Sequence, residues 1–173
     1  MVDQQVKLFK LYNQESVKSL SNIFGQDSIV KFNDSNIVGI KYDYDKNKLK
    51  NIMQMAPFTL IQQLIITSHH FVNIIEKIGS KGYRPNITLS TEIPEEEMKL
   101  LREYIFRISR PNINGKKYGQ LILKEINRLE FEYEVELESV SFTSNNERIV
   151  LRNNGIVFAN ENSFNLAGEL LNH

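Results

Sequence analysis

The sequence predicts an α+β fold, a mainly antiparallel sheet with helices packed on one side. Three observations predict it. Apolar residues recur at helical spacing in some segments and in strict alternation in others, and the two kinds of segment are interleaved along the chain. Clusters of Asn, Asp and Gly separate neighbouring alternating segments, as hairpin turns require. The chain has 173 residues, and at that length folding buries roughly 70% of the surface the unfolded chain exposes, enough for one core. One domain over residues 1–173 is the first reading, with two subdomains divided near Ser109–Lys117 as the alternative.

Val6–Tyr12 reads as a strand, and from Glu15 the residues Val17, Leu20, Ile23 and Phe24 follow at helical spacing up to Gly25, a helix-ending glycine. Ser28–Phe32 and Ile37–Tyr44 form two strands around the turn formers Asn33-Asp34-Ser35-Asn36. Asp45 caps a helix bearing Leu49, Ile52 and Met53, and Pro57 breaks or restarts it. From Phe58 to Ile78 a long helix is predicted, because Leu60, Ile61, Leu64, Ile65, Phe71, Val72, Ile75 and Ile78 share one broad arc at 3.6 residues per turn.

The alternation Ile87, Leu89, Thr91, Ile93 is a strand. Pro94 then opens a helix whose first turn carries Glu95, Glu96 and Glu97, where carboxylates suit the dipole, and whose Met98, Leu101, Tyr104, Ile105 and Ile108 face inward. A loop over Ser109–Lys117 leads to a helix with Leu121, Ile122, Ile126 and Leu129. Glu130–Glu138 alternates acidic and apolar residues without a break and reads as the clearest strand. The phase then slips at Val140 and Phe142, so a β-bulge is predicted near Glu138-Ser139. Arg148–Arg152 and Ile156–Ala159 flank Asn154-Gly155, a type I′ hairpin signal, and a helix over Ser163–Leu171 ends the series. The order of the first six elements, βαββαβ, resembles the ferredoxin-like split βαβ arrangement; αα-βββ-α follows.

Composition removes whole classes of chemistry. With no cysteine there is no disulfide framework, thiol nucleophile or thiolate metal site. Lys plus Arg is 21 and Asp plus Glu is 21, so zero net charge argues against a protein that coats a polyanion, although residues 1–93 hold 11 basic and 8 acidic side chains. The stretch Phe58–Ile78 carries too many polar residues for a membrane span, and the first residues show no secretory signal, so a cytoplasmic protein is expected. No phosphate-binding glycine loop, nucleophile elbow or His-Glu-x-x-His zinc motif occurs; no catalytic residue, metal ligand or cofactor is predicted. Asp43, Asp45 and Asn47 imitate the start of a calcium loop, but Lys48 and Gln54 stand where glycine and glutamate are needed.

Several candidate sites remain. Glu130, Glu132, Glu134, Glu136 and Glu138 would stand about 6.8 Å apart on one strand face and suit a basic partner or cross-strand Arg148 and Arg152. Arg107, Arg110, Lys116 and Lys117 surround a helix start and suit a phosphate or carboxylate. His69 is the nearest thing to a catalytic base, in an enzyme reading that joins it to a carboxylate and to that basic loop. The run Lys7-Leu8-Phe9-Lys10-Leu11-Tyr12 and the segment Val38-Gly39-Ile40-Lys41-Tyr42-Asp43-Tyr44 resemble the two central strands of an RNA-recognition motif. That resemblance implies base stacking on Phe9, Tyr42 and Tyr44. Asn154-Gly155-Ile156-Val157-Phe158-Ala159-Asn160, with Phe164, Leu166 and Gly168, resembles the opening strands of a PAS sensor domain. The leading functional expectation is a non-catalytic protein that binds a protein partner or its own copies through the glutamate face or an exposed strand edge. Nucleic-acid binding and a small-anion enzyme or sensor domain are the alternatives.

Overall fold

The computed structural model describes residues 4–32, 35–43 and 48–172. It is α+β, in the order β1 (Gln4–Leu11), α1 (Ser16–Phe24), β2 (Ile29–Lys31), β3 (Ile37–Tyr42), α2 (Leu49–Met55), β4 (Ile61–Gln63), α3 (Ser68–Ser80), β5 (Asn86–Leu89), α4 (Glu95–Ile108), α5 (Gly115–Tyr133), β6 (Leu137–Ser144), β7 (Glu147–Arg152), β8 (Ile156–Ala159) and α6 (Phe164–Leu171). The chain divides into two compact units, residues 1–65 with 154–173, and residues 66–153. Ser109–Lys117 lies inside the second unit, where it joins α4 to α5.

In the first unit β1 is central. It pairs antiparallel with β3, which pairs with β2, while its other edge takes β8 against Gln4–Lys7 and β4 against Phe9–Leu11. A strand with neighbours on both sides buries residues of both faces: Val6, Leu8, Phe9 and Leu11 are buried, and so is Lys7, while Lys10 is exposed. Phe9 and Leu11 meet Leu20 of α1, Val38 and Ile40 of β3, Ile52 of α2 and Ile61 of β4 in one cluster. Gly39 lets β3 lie close to β1: a Cβ there would stand 2.2 Å from Val6 Cγ1.

The second unit packs α3, α4 and α5 with a sheet of β5, β6 and β7. Ile87 pairs with Val140, Val140 with Leu151 and Phe142 with Ile149, so these apolar side chains share one face. Pro94 opens α4 as expected, with Glu95, Glu96 and Glu97 in its first turn. The β6–β7 hairpin turns on Asn145 and Asn146, with φ of 50° and 63°, the pair of positive values a type I′ turn needs. At Asn154-Gly155, where the sequence predicts such a turn, only Gly155 is positive, at 72°.

Two long elements differ from expectation. The helix predicted over Phe58–Ile78 is divided. Leu60 N and Ile61 N donate to the Pro57 carbonyl, Ile61–Gln63 pair with β1, and a helix begins only at Ser68, where Thr67 Oγ1 accepts from His70 N. Ile61–Gln63 fit the helical arc by spacing, but the open edge of β1 offers their backbone hydrogen bonds outside the segment, and Gln62 and Gln63 stay exposed in the strand. The strand predicted over Glu130–Glu138 is also absent as such. The helix α5 runs through Tyr133, Glu134 ends it in the left-handed conformation (φ 52°, ψ 36°), and β6 starts at Leu137. Here the helix has support from outside the alternation: Arg128 bonds Glu125 and Glu132, three and four residues away, and also Glu97 of α4.

The bulge is where the phase slip puts it. Thr88 pairs with Ser139 but Leu89 pairs with Leu137, so Glu138 is passed over and Leu137 joins Val140 and Phe142 in the core. The first six elements run β1-α1-β2-β3-α2-β4, but the last strand of that run is Ile61–Gln63 and not Ile87–Ile93, which is β5, in the second unit and paired with β6; β4 and β8 occupy the edge of β1.

Candidate functional site: a cationic groove at the edge of β5

The chain leaves α3 through Gly82, whose φ of 79° suits glycine, and Tyr83 N donates to the Ile78 carbonyl. This closes the helix and sends Arg84-Pro85 into β5. Among the described residues β5 has β6 on one side and no strand on the other, so alternate backbone groups of Asn86–Leu89 face outward. Beside that edge runs the last part of α4. Phe106 is 42% exposed, and two guanidinium groups stand over its ring, Arg84 at 5.2 Å and Arg110 at 4.5 Å from the centroid. The quadrupole of the ring attracts each cation, but the two cations repel one another.

Two grooves meet at this strand. A groove of about 430 Å³ on the α4 side is lined by Arg84, Ile87, Met98, Arg102, Ile105 and Phe106, with Pro85 and Asn86. A second, of about 330 Å³, lies over the other face of β5 and is lined by Arg84, Asn86, Ser141, Phe142, Thr143 and Arg148. Arg84 and Asn86 belong to both. Arg102 is paired with Glu95, and Arg107 with Glu103 at 2.7 Å. The Tyr118 hydroxyl, ahead of Glu103, raises the pKa of Arg107 further. By contrast Arg84, Arg110 and Arg148 form no ion pair among the described residues. The site is therefore an open strand edge and a partly apolar trough, rimmed by Arg102, which Glu95 pairs, and by Arg84, Arg110 and Arg148, which form no ion pair among the described residues.

The glutamates expected on one strand face are dispersed. Glu130 accepts a hydrogen bond from Ser68 Oγ, Glu132 is bound to Arg128, Glu134 is the left-handed residue ending α5, Glu136 lies between elements, and Glu138 stands 3.9 Å from Arg152. The basic loop is divided as well. Arg107 and Arg110 close α4, whereas Lys116 and Lys117 sit in the first turn of α5, where the Asn114 side chain already accepts from Lys117 N at 3.1 Å. Lys116 and His69 bear on Glu76, whose carboxyl burial pushes up while these two groups pull it down. His69 is exposed.

Phe9 is fully buried in the core, so it cannot offer a ring face to a base; Tyr42 is half-buried against the same cluster, and Tyr44 and Asp45 lie outside the described residues. No group of three or more His, Cys, Asp or Glu side chains suited to a metal occurs among the described residues, and no helix there is long and apolar enough to cross a membrane.

Sequence reading reached Arg107 and Arg110 and named Arg148 only as a cross-strand cation for the glutamates; it missed Arg84, Arg102 and Phe106. One signal was available: all seven arginines lie between positions 84 and 152, while the remainder of the chain uses lysine alone for positive charge. Comparisons with protein-family models, with curated proteins and with solved structures find no match to this chain.

Proposed function

We propose that the protein is a non-catalytic binding protein that holds an acidic segment of a partner protein along β5. The observation that carries this reading is the convergence of Arg84 and Arg110 on Phe106, beside an open strand edge, with neither guanidinium in an ion pair among the described residues. An extended segment laid along β5 gains backbone hydrogen bonds and directs alternate side chains to the two grooves. Carboxylates then meet guanidinium groups, the geometry at which arginine exceeds lysine.

Two features favour a protein segment over a nucleic acid. Two guanidinium groups already stand over the Phe106 ring and compete with a base for stacking on it. The positive rim is also short, because Glu95, Glu96, Glu97 and Glu103 on the same α4 interrupt any basic path for a phosphodiester backbone.

Fluorescence anisotropy with labelled hexaglutamate and with a labelled oligouridine of similar length tests the reading. Hexaglutamate is expected to bind in a salt-sensitive manner, and Arg84→Ala combined with Arg110→Ala to weaken it about tenfold or more. Tighter binding of the oligouridine, lost in the same double variant, would replace the protein reading with a nucleic-acid one. Binding of neither probe, or binding indifferent to the two arginines, would overturn the site.

A further inference from the structure

We propose that the acidic segment held in this groove belongs to a second copy of the same chain: the end of α5, with Phe131 entering the α4-side trough and the glutamates that follow it meeting Arg84 and Arg110. The inference rests on the reading of the groove given above and names its occupant.

Phe131 is 88% exposed, the most exposed of the large hydrophobic side chains. Isolated exposed apolar residues are ordinary; a fully exposed phenylalanine among four glutamates is a more specific arrangement. Glu132 is committed to Arg128 and Glu130 to Ser68. Glu134 and Glu136 form no ion pair among the described residues, so they are the carboxylates left for a partner. Glu134 follows Phe131 by three residues, at the left-handed end of α5, and Glu136 lies in the connection that follows. The donor surface is thus an aromatic ring with free negative charge beside it.

The α4-side groove is its complement. Its floor is Ile87, Met98 and Ile105, its rim carries Arg84 and Arg102, Arg110 stands over Phe106 at the edge, and its volume of about 430 Å³ accommodates a phenyl group. The ring would lose its exposed surface to an apolar floor, while the unpaired carboxylates and unpaired guanidiniums neutralise each other. Phe131 cannot be in the groove of its own chain, since it is exposed. The two patches differ, so the contact is head-to-tail: each bound copy still presents one free groove or one free aromatic end, and assembly grows with concentration.

Sedimentation velocity of the full chain over a concentration series, at low salt and at about 0.5 M salt, is the experiment, with Phe131→Ser and Arg110→Glu as variants. Both positions are exposed, and circular dichroism checks that each variant keeps the fold. Wild type is expected to form oligomers that salt disperses, and each variant alone to associate about tenfold or more weakly. A mixture of the two variants is expected to yield a heterodimer that does not grow, because Phe131→Ser retains a working groove and Arg110→Glu a working aromatic end. The Phe131→Ser protein should still bind labelled hexaglutamate. A wild type that stays monomeric while hexaglutamate binds overturns the self-association and leaves the groove standing; loss of both overturns the two readings together. Oligomers unaffected by either variant, or variants that fail to complement, also overturn it.

Discussion

Lys7 is the residue at which burial and charge conflict most. It occupies the central strand of the first unit, is 3% exposed, and its Nζ donates to the Asn154 carbonyl in the turn before β8, 5.8 Å from the Phe9 ring. Removal from water lowers its pKa to about 8. The unfolded chain therefore holds the Lys7 proton more tightly than the folded one between pH 8 and the ordinary lysine value of 10.5. Across that window stability attributable to Lys7 rises with pH, and below pH 8 the full penalty for burying the ammonium is present. We expect wild type minus Lys7→Met, measured by urea unfolding, to become more favourable to wild type on the order of 2–3 kcal/mol between those limits. A flat difference would show that the amine reaches water. At Gly39 the constraint is shape: Gly39→Ala puts a methyl group 2.2 Å from Val6 Cγ1 and should cost about 1–3 kcal/mol, read as a lowered denaturation midpoint with an unchanged slope.

Among the elements, α5 is the one whose end is decided by a single unusual residue. Glu134 takes the left-handed conformation that glycine prefers, with φ 52° and ψ 36°. Glu134→Gly should stabilise the chain by about 0.4–1 kcal/mol, by relieving the strained end of the helix and offsetting the freedom glycine gains unfolded. Within the same element Arg128 is held by Glu125, Glu97 and Glu132, and the Glu125 side chain is only 9% exposed. Arg128→Ala leaves that nearly buried carboxylate without its cation. We expect a loss of about 1–3 kcal/mol in chemical denaturation, and a smaller loss for Arg128→Lys, which restores charge but not the multiple hydrogen bonds. If Arg128→Ala were neutral, the helix over Glu130–Tyr133 would owe nothing to this network, and the account of why that segment is not a strand would fail.

For the molecule as a whole, a ligand that binds only the folded state must stabilise it. Hexaglutamate at about 100 times its dissociation constant should raise the unfolding free energy by about 2.7 kcal/mol. The accompanying rise in Tm should vanish in the Arg84→Ala, Arg110→Ala double variant; a rise that persists in it would place the acidic ligand elsewhere.

What the sequence by itself determined is the set of elements whose period and punctuation agree. The strand β1, the helix α1 ending before Gly25, the β2–β3 hairpin, Pro94 with three glutamates at the start of α4, and the bulge at Glu138 are all legible because a half-buried element writes its buried face into the spacing of its apolar residues. Where that spacing is ambiguous, the neighbours decide. Ile61–Gln63 fit a helical arc by their spacing, yet the edge of β1 makes them a strand; Glu130–Tyr133 alternate as a strand does, and Arg128 with the preceding turns of α5 keeps them helical. The groove lay further beyond reach of the sequence. Arg84, Arg110 and Arg148 are separated by tens of residues along the chain, and each alone reads as a solvated cation. Only tertiary structure brings Arg84 and Arg110 onto one ring with no ion pair to either among the described residues, because electrostatic convergence depends on distance in space, and local spacing reports distance only within one element.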